Sequence, residues 1–517
     1  MTENPAFRAQ AIMVLGTASH AGKSALAAGL CRLLARRGIR TAPFKAQNMS
    51  NNSHVTPEGA EIGRAQAFQA RAAGVDSHAD MNPVLLKPSG GISQVILNGK
   101  PWGNRSPREY YADKEFLGAE ARRAYDRLAS RFEAVVLEGA GSPAEINLRA
   151  EDFVNMAMAE HAGARCLLVA DIDRGGVFAS ILGTVKLLEP RHRALLAGVV
   201  INKFRGDASL LEPGLREIET LTGVPVLGVL PWLDNLGLEE EDSLGLPEAR
   251  IPAAAAGTGI PGATADIAVL RLPHISNFTD FQALEAAPGL RLRYVADPAA
   301  LGNPDLLILP GSKTVRADLE WMAAAGLGRA VIAAAERHIP VLGICGGYQM
   351  LGRVLRDLHG VEGPAGETAG LGLLPVVTVM EKEKELARME ARNLLLPFLA
   401  KGEKLAGYEV HMGRTESSGA ARPALEITGR NGSPCRVPSG AASEDRPVFG
   451  IYLHGLFEDP AAREGLLGWL LKRKGLDHAP AASDAPAVSP FDRLADALER
   501  HVDLAPLLSS RERIIHP

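Results

Sequence analysis

The sequence predicts an α/β protein with two parallel-sheet domains, and three observations support this prediction. The chain has 517 residues, more than the roughly 250–300 residues at which a single hydrophobic core stops growing. Short apolar runs alternate with longer amphipathic stretches, as buried parallel strands alternate with crossover helices. A Pro-, Gly- and Ala-rich segment at 246–265 has no hydrophobic period and separates two such series, so we place a linker there.

The first series predicts an N-terminal domain at residues 1–245, with strand-like runs AIMVLG, IRTAPF, FEAVVLEGAG, ARCLLVADID and LAGVVINK. The second predicts a domain at 266–475, with strands ADIAVLRL, LRLRYV, DLLILPGS and IPVLGIC and a helix-length segment at 314–338. We expect EKEKELAR at 381–388 to be a solvated helix or loop face. Residues 476–517 are predicted to be a flexible connector with a short amphipathic C-terminal helix.

Composition narrows the class of function. The net charge is −4, from 56 basic and 60 acidic residues, which gives no broad attraction to a polyanion, so we do not expect nucleic acid as a partner. Four scattered cysteines lack the spacing of a metal site or of a disulfide framework.

The sequence also gives an expectation for localisation. We find no signal-peptide pattern and no apolar run of the roughly 18–20 residues that span a membrane. We therefore expect a cytoplasmic protein that acts on small molecules. The oligomeric state stays open, and a homo-oligomer is possible.

A phosphate-binding loop follows the first predicted strand. Gly16 and Thr17 open a turn that ends in Gly22, Lys23 and Ser24 and leads into the helical run ALAAGLCRLLARRG. Backbone N–H groups of such a loop cradle phosphates, the lysine reaches terminal phosphate oxygens, and the serine hydroxyl binds Mg²⁺. The loop is one residue longer than the common pattern and resembles that of dethiobiotin synthetases, which phosphorylate carboxylates. We expect ATP and Mg²⁺ to bind here.

Polar residues also follow four further predicted strands of this domain, and they are Lys45, Gln47, Asn48, Glu138, Asp171, Asp173, Arg174, Asn202 and Lys203. Because the carboxyl ends of parallel strands meet at one edge of a sheet, these residues are expected to lie together. We predict that Glu138 is a Mg²⁺ ligand with Ser24. Asn202 and Lys203 are predicted to bind the nucleotide. The remaining residues are predicted to position the substrate or its phosphate, although the Asn-rich run is also compatible with a simple polar turn.

A cysteine with glycine neighbours marks the second candidate site. The apolar run IPVLGIC ends at Cys345, which Gly346 and Gly347 follow before a predicted helix. Flanking glycines permit a sharp strand-to-helix turn that projects the thiol, and the following N–H groups can stabilise an oxyanion. We predict that Cys345 is a nucleophile. We expect Cys31 and Cys166, which lie inside apolar runs, to be buried and inert.

Two histidines are candidates for the base that the thiol needs. His454 lies at the end of the strand-like segment GIYLHGL, and His411 lies in GYEVHMG. We favour His454 as the proton shuttle. An oxyanion hole is predicted from the N–H groups of Gly346 and of Gly311, in the PGSK segment after DLLIL.

These residues resemble class I, triad-type glutamine amidotransferase domains, whose fold is flavodoxin-like. The third member of that triad is usually a Glu two residues after the His, but this chain has Leu456 there. Glu458 lies four residues after the His and is not assigned to the triad by default. The orienting carboxylate is therefore left open.

The order of the two domains narrows the resemblance to one family. Seven motifs between about residues 11 and 470 resemble the cobyric acid synthase family: PFKAQNMSNNS, LEGAGSPAEINL, DIDRGGVFAS, VINKFRGD, GICGGYQMLG, GYEVHMGRT and YLHGLF. The resemblance implies ATP- and glutamine-dependent amidation of the b, d, e and g carboxylates of adenosylcobyrinic acid a,c-diamide in cobalamin biosynthesis. It implies an acyl phosphate intermediate and glutamine-derived ammonia.

Two alternatives remain at this point. One is an amidotransferase like cobyrinic acid a,c-diamide synthase that acts on another polycarboxylate. The other is a P-loop regulatory ATPase with an inactive glutaminase-like domain, which Leu456 favours because the usual triad carboxylate is missing from that position.

Overall fold

A computed structural model describes residues 9–89, 91–233, 265–417, 421–476 and 489–508. The predicted linker at 246–265, apart from residue 265, lies outside the described residues. Most of the predicted connector that begins at residue 476 also lies outside them.

The N-terminal domain is built on a parallel sheet whose strands are β1 (Gln10–Gly16), β2 (Thr41–Phe44), β9 (Ala134–Glu138), β10 (Arg165–Asp171), β11 (Leu196–Phe204) and β12 (Val226–Pro231). Their spatial order is β12-β11-β10-β1-β9-β2, and all pairings are parallel. Strands β1, β9 and β10 are buried along almost their whole length because helices cover both faces.

The helices of this domain are α1 (Lys23–Arg36), α2 (Arg64–Ala73), α3 (Pro107–Ala112), α4 (Lys114–Ala129), α5 (Met156–Ala162), α6 (Val177–Leu187), α7 (Pro190–Arg193) and α8 (Glu212–Thr222). Since β1 lies between β9 and β10, the order of strands changes direction at the end of β1. The predicted phosphate-binding loop is at this point, where open α/β sheets bind ligands.

Short strands form a second layer in the N-terminal domain. They are β3 (Gln47–Met49), β4 (Ser53–Val55), β5 (Glu61–Gly63), β6 (Val84–Ser89), β7 (Ile92–Leu97) and β8 (Lys100–Arg105). Strands β3, β6, β7 and β8 make one sheet, and β4 pairs with β5. The apolar pattern of the sequence did not predict these strands because they are short and carry polar residues.

The C-terminal domain has a sheet of β13 (Ala265–Leu270), β15 (Leu290–Val295), β16 (Leu306–Leu309), β18 (Val341–Ile344), β25 (Ala441–Ala442) and β26 (Val448–Ile451). Its order is β15-β13-β16-β18-β26-β25, parallel except at the β25 edge. The helices are α9 (Gln282–Glu285), α10 (Val315–Ala324), α11 (Leu327–Glu336), α12 (Gly346–Leu351) and α13 (Pro460–Arg473). The predicted helical segment 314–338 is two helices, since Gly326 has a φ of 77°.

Further strands extend this domain, with all pairings antiparallel except that of β19 with β21. They are β14 (Ile275–Ser276), β17 (Gly311–Ser312), β19 (Val354–Asp357), β20 (Gly366–Ala369), β21 (Val376–Asn393), β22 (Lys404–Ser417), β23 (Leu425–Arg430) and β24 (Ser433–Ser439). The prediction of a helix or loop at 381–388 is wrong, although the predicted solvent exposure holds for Lys382, Glu383, Glu385 and Arg388. These residues belong to β21, and the β21–β22 register shifts between Met380 and Glu385. Lys384 lies within this bulge, and its side chain is 4% exposed.

The chain ends against the N-terminal domain. The predicted C-terminal helix is α14 (Pro490–His501), followed by α15 (Ala505–Leu508). Leu494 and Leu498 of α14 join the core that α1 forms on one face of the parallel sheet. Arg32 of α1 donates two hydrogen bonds to Asp492, of 2.7 and 3.1 Å. No helix in the described part of the chain is long and apolar enough to cross a membrane.

We predict that α14 is part of the stable N-terminal domain. Leu498 is 1% exposed, so Leu498→Ala is expected to lower the free energy of unfolding by roughly 2–5 kcal/mol through lost burial and the cavity left behind. Leu210→Ala is the control, because Leu210 is 79% exposed. Urea unfolding followed by circular dichroism measures both variants. Equal, small changes in the two would show that α14 is not part of this core.

Candidate active site

The phosphate-binding loop has the conformation that its glycines suggest. Gly22 precedes α1 with a φ of 103°, and a Cβ there would lie 2.2 Å from the Asn202 amide nitrogen. Lys23 Nζ donates to the carbonyl oxygens of Ala18 at 3.1 Å and Gly141 at 3.0 Å. The lysine ammonium thus lies over the loop, between the ends of β1 and β9, where a terminal phosphate would bind.

Glu138, at the end of β9, is the centre of a buried polar cluster. Its Oε1 accepts hydrogen bonds from Ser24 Oγ at 2.8 Å and from Lys45 Nζ at 3.0 Å. Gln69 donates to the other oxygen. The predicted pair of Mg²⁺ ligands, Ser24 and Glu138, therefore lies together at the start of α1. The oxygen donors suit Mg²⁺, which takes one or two protein ligands and completes its shell with water and phosphate.

The ends of β10 and β11 form the other side of the loop. Asn202 donates to the Ala21 carbonyl at 3.0 Å. Lys203 Nζ contacts both the His20 carbonyl and Asp171 Oδ2 at 2.8 Å. Asn202 also lines a pocket of about 200 Å³ with Trp232 and with Leu494 and Leu498 of the C-terminal helix. We call it the α1–α14 pocket.

The remaining predicted positioning residues have different surroundings. Gln47 accepts a hydrogen bond from the Tyr110 hydroxyl and lines the cavity described next. Asn48 is buried, donates to Gln66 at 3.0 Å and accepts from the Met49 N–H at 2.8 Å. Asp173 Oδ1 and Arg205 Nε form an ion pair of 3.4 Å, and Arg174 Nε lies 3.7 Å from Asp171 Oδ2.

A cavity of about 910 Å³ opens beside the loop, and we call it the N-terminal cavity. Gly141, whose carbonyl accepts from Lys23, is in its wall, and so are Tyr110, Tyr111 and Lys114. Its volume is at the upper end of the range for small-molecule sites. The cavity is therefore large enough for a bulky substrate with one end at the phosphate-binding loop.

Cys345 forms the strained turn that the sequence predicts. It joins β18 to α12 with φ 53° and ψ −109°, a conformation that non-glycine residues rarely adopt. A Cβ on Gly347 would lie 2.0 Å from the Leu309 carbonyl oxygen, and one on Gly346 would lie 2.7 Å from the Ser312 nitrogen. Only glycines fit beside this cysteine. The turn brings the Gly346 backbone against the β17 loop of Gly311 and Ser312.

His454 is the histidine paired with Cys345. It is fully buried, and its Nδ1 contacts Asp280 Oδ2 at 2.7 Å. Burial disfavours the imidazolium, but the Asp280 carboxylate and a hydrogen bond with Cys345 raise the pKa of His454 to about 10. His411 has another role, since its Nδ1–H donates to the Gly413 carbonyl at 2.8 Å and its ring stacks on Tyr452.

Asp280 is the orienting carboxylate that the sequence left open. It is 3% exposed, and its second oxygen accepts from the Gly455 N–H at 3.1 Å. A carboxylate on Nδ1 fixes the tautomer and orientation of a catalytic imidazole. Glu458 instead forms ion pairs with Arg64 and Arg71 of the N-terminal domain. Asp280 follows β14, 174 residues before His454, and no local motif marked it.

The pocket around Cys345 is built from both domains. Lys87 of β6 lines it together with Lys313, Glu362 and Lys384 of the C-terminal domain, and we call it the cysteine pocket. The residue before Lys87, Leu86, lines the N-terminal cavity. Because successive side chains of a strand point to opposite faces, β6 separates the two cavities. The sequence did not predict that the charged residues of the cysteine pocket lie together in one pocket, because charged side chains are ordinarily expected at the surface.

Comparisons with known proteins agree with this arrangement. Residues 12–244 match the model of the CobQ/CobB/MinD/ParA nucleotide binding domain. Residues 266–462 match the model of the CobB/CobQ-like glutamine amidotransferase domain. The cobyric acid synthase of Yersinia enterocolitica is 50% identical over 96% of this chain and 97% of its own length. Those of Pelotomaculum thermopropionicum and Sorangium cellulosum are each 49% identical over 96% of this chain, and over 95% and 97% of their own lengths.

The chain belongs to the cobyric acid synthase family. The predicted family, the two-domain α/β fold and the class of glutamine-dependent amide ligase are confirmed. Among solved structures, one described as PurLQS from Thermotoga maritima aligns with 41% of this chain and 99% of its own, with 19% identity and a TM-score of 0.31. At that score we infer nothing further from it.

We predict that Asp280 is needed for glutamine hydrolysis. Asp280→Asn removes the charge that sustains the imidazolium, so the pKa of His454 should fall and the alkaline limb of the pH profile should move to lower pH. The rate of hydrolysis should drop roughly 10²–10⁴-fold. Glu458→Gln is the comparison: Glu458 contacts Arg64 and Arg71 rather than His454, so this variant should lower the rate less than Asp280→Asn and should leave the alkaline limb of the pH profile in place. A larger loss in Glu458→Gln than in Asp280→Asn would contradict the assignment.

Proposed function

We propose that this protein uses ATP and glutamine to convert the b, d, e and g carboxylates of adenosylcobyrinic acid a,c-diamide into amides, in cobalamin biosynthesis. The observation that carries the proposal is the presence in one chain of a Cys345–His454–Asp280 arrangement and of a phosphate-binding loop beside a large cavity. We assign the ligase step to residues 1–245 and glutamine hydrolysis to residues 266–475.

Glutamine hydrolysis follows from the cysteine pocket. The Cys345 thiol gives its proton to His454, and the thiolate sulfur attacks the side-chain carbonyl carbon of glutamine, while N–H groups of Gly311 and Gly346 stabilise the oxyanion. The His454 imidazolium gives its proton to the leaving nitrogen, which departs as ammonia and leaves a thioester. His454 then takes a proton from water, and the oxygen of that water attacks the thioester carbon. The C–S bond breaks, glutamate leaves, and the Cys345 sulfur takes the proton back from His454.

The ligase step follows from the phosphate-binding loop. A substrate carboxylate oxygen attacks the γ-phosphorus of ATP, ADP leaves, and an acyl phosphate forms. Ammonia attacks the acyl carbon, and inorganic phosphate leaves to give the amide. Lys23 neutralises charge that develops on the transferred phosphoryl group. Ser24 and Glu138 are the residues that would hold Mg²⁺, which shields the phosphate charge.

The base of ATP is assigned to the α1–α14 pocket. Asn202 offers an amide that can pair with a purine edge, while Trp232, Leu494 and Leu498 provide apolar surface. The lining is consistent with an aromatic ligand beside a phosphate loop. In this assignment the C-terminal helix belongs to the nucleotide site.

The corrinoid is assigned to the N-terminal cavity. Gly141 connects the wall of the cavity to Lys23, so a carboxylate reaching that wall approaches the transferred phosphate. Lys114 lines the same cavity, with its Nζ 4.0 Å over the Tyr111 ring and 3.8 Å from Glu151 Oε2, and we assign it to a substrate carboxylate. The protein's cysteines are free thiols in the structure, which fits a reducing compartment, and we place the protein in the cytoplasm.

Asp280 bears on the alternative of an inactive glutaminase. That alternative rested on the missing Glu at position 456, and a carboxylate on His454 Nδ1 from another part of the chain removes its basis. An amidotransferase acting on another polycarboxylate differs only in substrate.

We expect the two activities to be separable by mutation. Cys345→Ala should abolish glutamine-dependent amidation while leaving ATP-dependent amidation with ammonium chloride, because the ligase site is intact. Lys23→Ala should lower amidation from either nitrogen source by at least about 100-fold, through lost stabilisation of the phosphoryl group. Product amides and ADP are measured for both variants. A folded Cys345→Ala protein without ammonium-dependent activity would contradict two separate sites.

Mass spectrometry of the corrinoid tests the substrate. Adenosylcobyrinic acid a,c-diamide incubated with the protein, MgATP and glutamine should gain amides stepwise, with ADP released for each amide formed. Glutamine hydrolysis without any change in the corrinoid would keep the amidotransferase chemistry and reject this substrate.

A further inference from the structure

His454 has a different neighbour on each of its ring nitrogens. Nδ1 contacts Asp280, and the amide nitrogen Nδ2 of Asn277 lies 3.3 Å from Nε2. Both neighbours come from the segment that follows β14, and Asn277 is 3% exposed. Because the carboxylate holds Nδ1, Nε2 is the nitrogen that exchanges a proton with Cys345. Asn277 therefore contacts the reactive nitrogen of the histidine.

The orientation of the Asn277 amide is fixed from the other domain. Its Oδ1 accepts a hydrogen bond from the backbone N–H of Ser53 in β4 at 2.9 Å. A backbone N–H can only donate, so the amide oxygen faces Ser53 and the NH₂ group faces His454. The NH₂ group donates to Nε2 only when that nitrogen carries no proton. The contact consequently favours a neutral imidazole with its proton on Nδ1.

Two donors compete for the lone pair of Nε2. One is the NH₂ group of Asn277, and the other is the Cys345 thiol, whose proton His454 takes before the sulfur attacks. The thiol also has another acceptor, because its sulfur lies 3.5 Å from the Val410 carbonyl oxygen. A neutral imidazole nitrogen has one lone pair to offer. With the amide on Nε2 and the thiol on Val410, the proton stays on the sulfur.

Asn277 opposes the charged groups around the His454 ring. Burial lowers the pKa of His454, whereas Asp280 and Cys345 raise it. Tyr408 of β22 stacks on the ring, with 5.2 Å between the ring centroids. A donor on Nε2 stabilises the neutral ring and so acts to lower the pKa of His454. The other charged residues nearby are Arg64, which donates to the Tyr408 hydroxyl, and Lys87, Lys313, Lys384 and Glu362 of the cysteine pocket.

We propose that Asn277 is a positioning residue for His454, which Ser53 orients so that its amide occupies Nε2 and restrains transfer of the Cys345 proton. The proposal rests on the glutamine hydrolysis proposed above. It gives the N-terminal domain control over the histidine, because the N–H that orients the amide belongs to that domain. Release of this N–H frees the amide, and the thiol then reaches Nε2.

The N-terminal cavity offers a means of release. Gln47 and Met49 of β3 line it, and the next strand, β4, begins at Ser53. A corrinoid that binds against β3 would displace the Ser53 N–H through this short connection. Hydrolysis would then be fastest when a carboxylate is waiting for ammonia.

Two substitutions at Asn277 test its amide without straining the backbone. Asn277 has a φ of 51°, a conformation that glycine adopts freely and that Asn and Asp adopt more readily than other residues. Asn277→Gly removes the amide, and Asn277→Asp keeps an acceptor for Ser53 but presents a second acceptor to Nε2. Asn431→Gly is the control, since Asn431 has a φ of 48° in an exposed turn of the same domain. Circular dichroism checks that each variant is folded.

Alkylation of Cys345 by iodoacetamide, read by mass spectrometry of its peptide, measures the thiolate without any substrate. Near neutral pH, Asn277→Gly should be alkylated roughly 2–10-fold faster than the wild type, as expected for one lost hydrogen bond, and Asn431→Gly should match the wild type. The alkaline limb of glutamine hydrolysis should move up by roughly 0.5–1 pH unit in Asn277→Gly and further in Asn277→Asp. A slower or unchanged alkylation of Asn277→Gly, or a limb that stays in place, would overturn the role of Asn277.

The ligands test the link through Ser53. Adenosylcobyrinic acid a,c-diamide with MgATP should raise the alkylation rate of the wild type towards that of Asn277→Gly and should change the rate of the variant less than about twofold. An equal rise in both proteins, or no rise in a wild type that forms amides, would overturn this link. Faster alkylation of Asn277→Gly in a protein that does not hydrolyse glutamine would reject the proposed hydrolysis and keep the role of Asn277.

Discussion

The buried carboxylate of Glu61 is the group around which the two domains meet. It is fully buried and accepts from Lys87 of its own domain and from Lys384 of the other. Burial by itself would raise the pKa of Glu61, but the two ammonium groups hold it well below its usual range. A buried charge that loses one partner is strongly destabilised. Lys384 lies in the bulge of β21, so this part of the strand is tied to the docking of the domains.

A second contact between the domains involves Glu458, and the carboxylate that pairs with His454 comes from another part of the chain. Glu458, close to His454 in sequence, is used for docking, since it pairs with Arg64 and Arg71. Asp280 takes over the orientation of His454. Asn277, three residues earlier, accepts from the Ser53 N–H at 2.9 Å and lies 3.3 Å from His454 Nε2. The histidine is thus in contact with a residue that the N-terminal domain holds directly.

The sequence predicts the parts of the protein that follow from local patterns. Apolar runs give the strands of both parallel sheets, and glycine spacing gives the turns at Gly22 and at Cys345. Partners that are distant in sequence are not predictable in this way, because Asp280 and Lys384 reach their sites through tertiary contacts. The run 381–388 is predicted only in part, because it is a strand with four exposed charged residues and one buried lysine. Its charges suggested exposure, yet Lys384 is buried because Glu61 offers a counter-ion that a local pattern cannot show.

In the proposed reaction, ammonia released from glutamine in the C-terminal domain is used for amidation in the N-terminal domain, and β6 lies between the two cavities. The most direct measurement supplies glutamine labelled with ¹⁵N in its side-chain amide, MgATP, adenosylcobyrinic acid a,c-diamide and excess unlabelled ammonium chloride. Mass spectrometry then reads the isotope in the product amides. Retention of ¹⁵N in most new amides is the predicted result. Amides with the isotope ratio of the bulk solution, or a corrinoid without new amides, would contradict the claim.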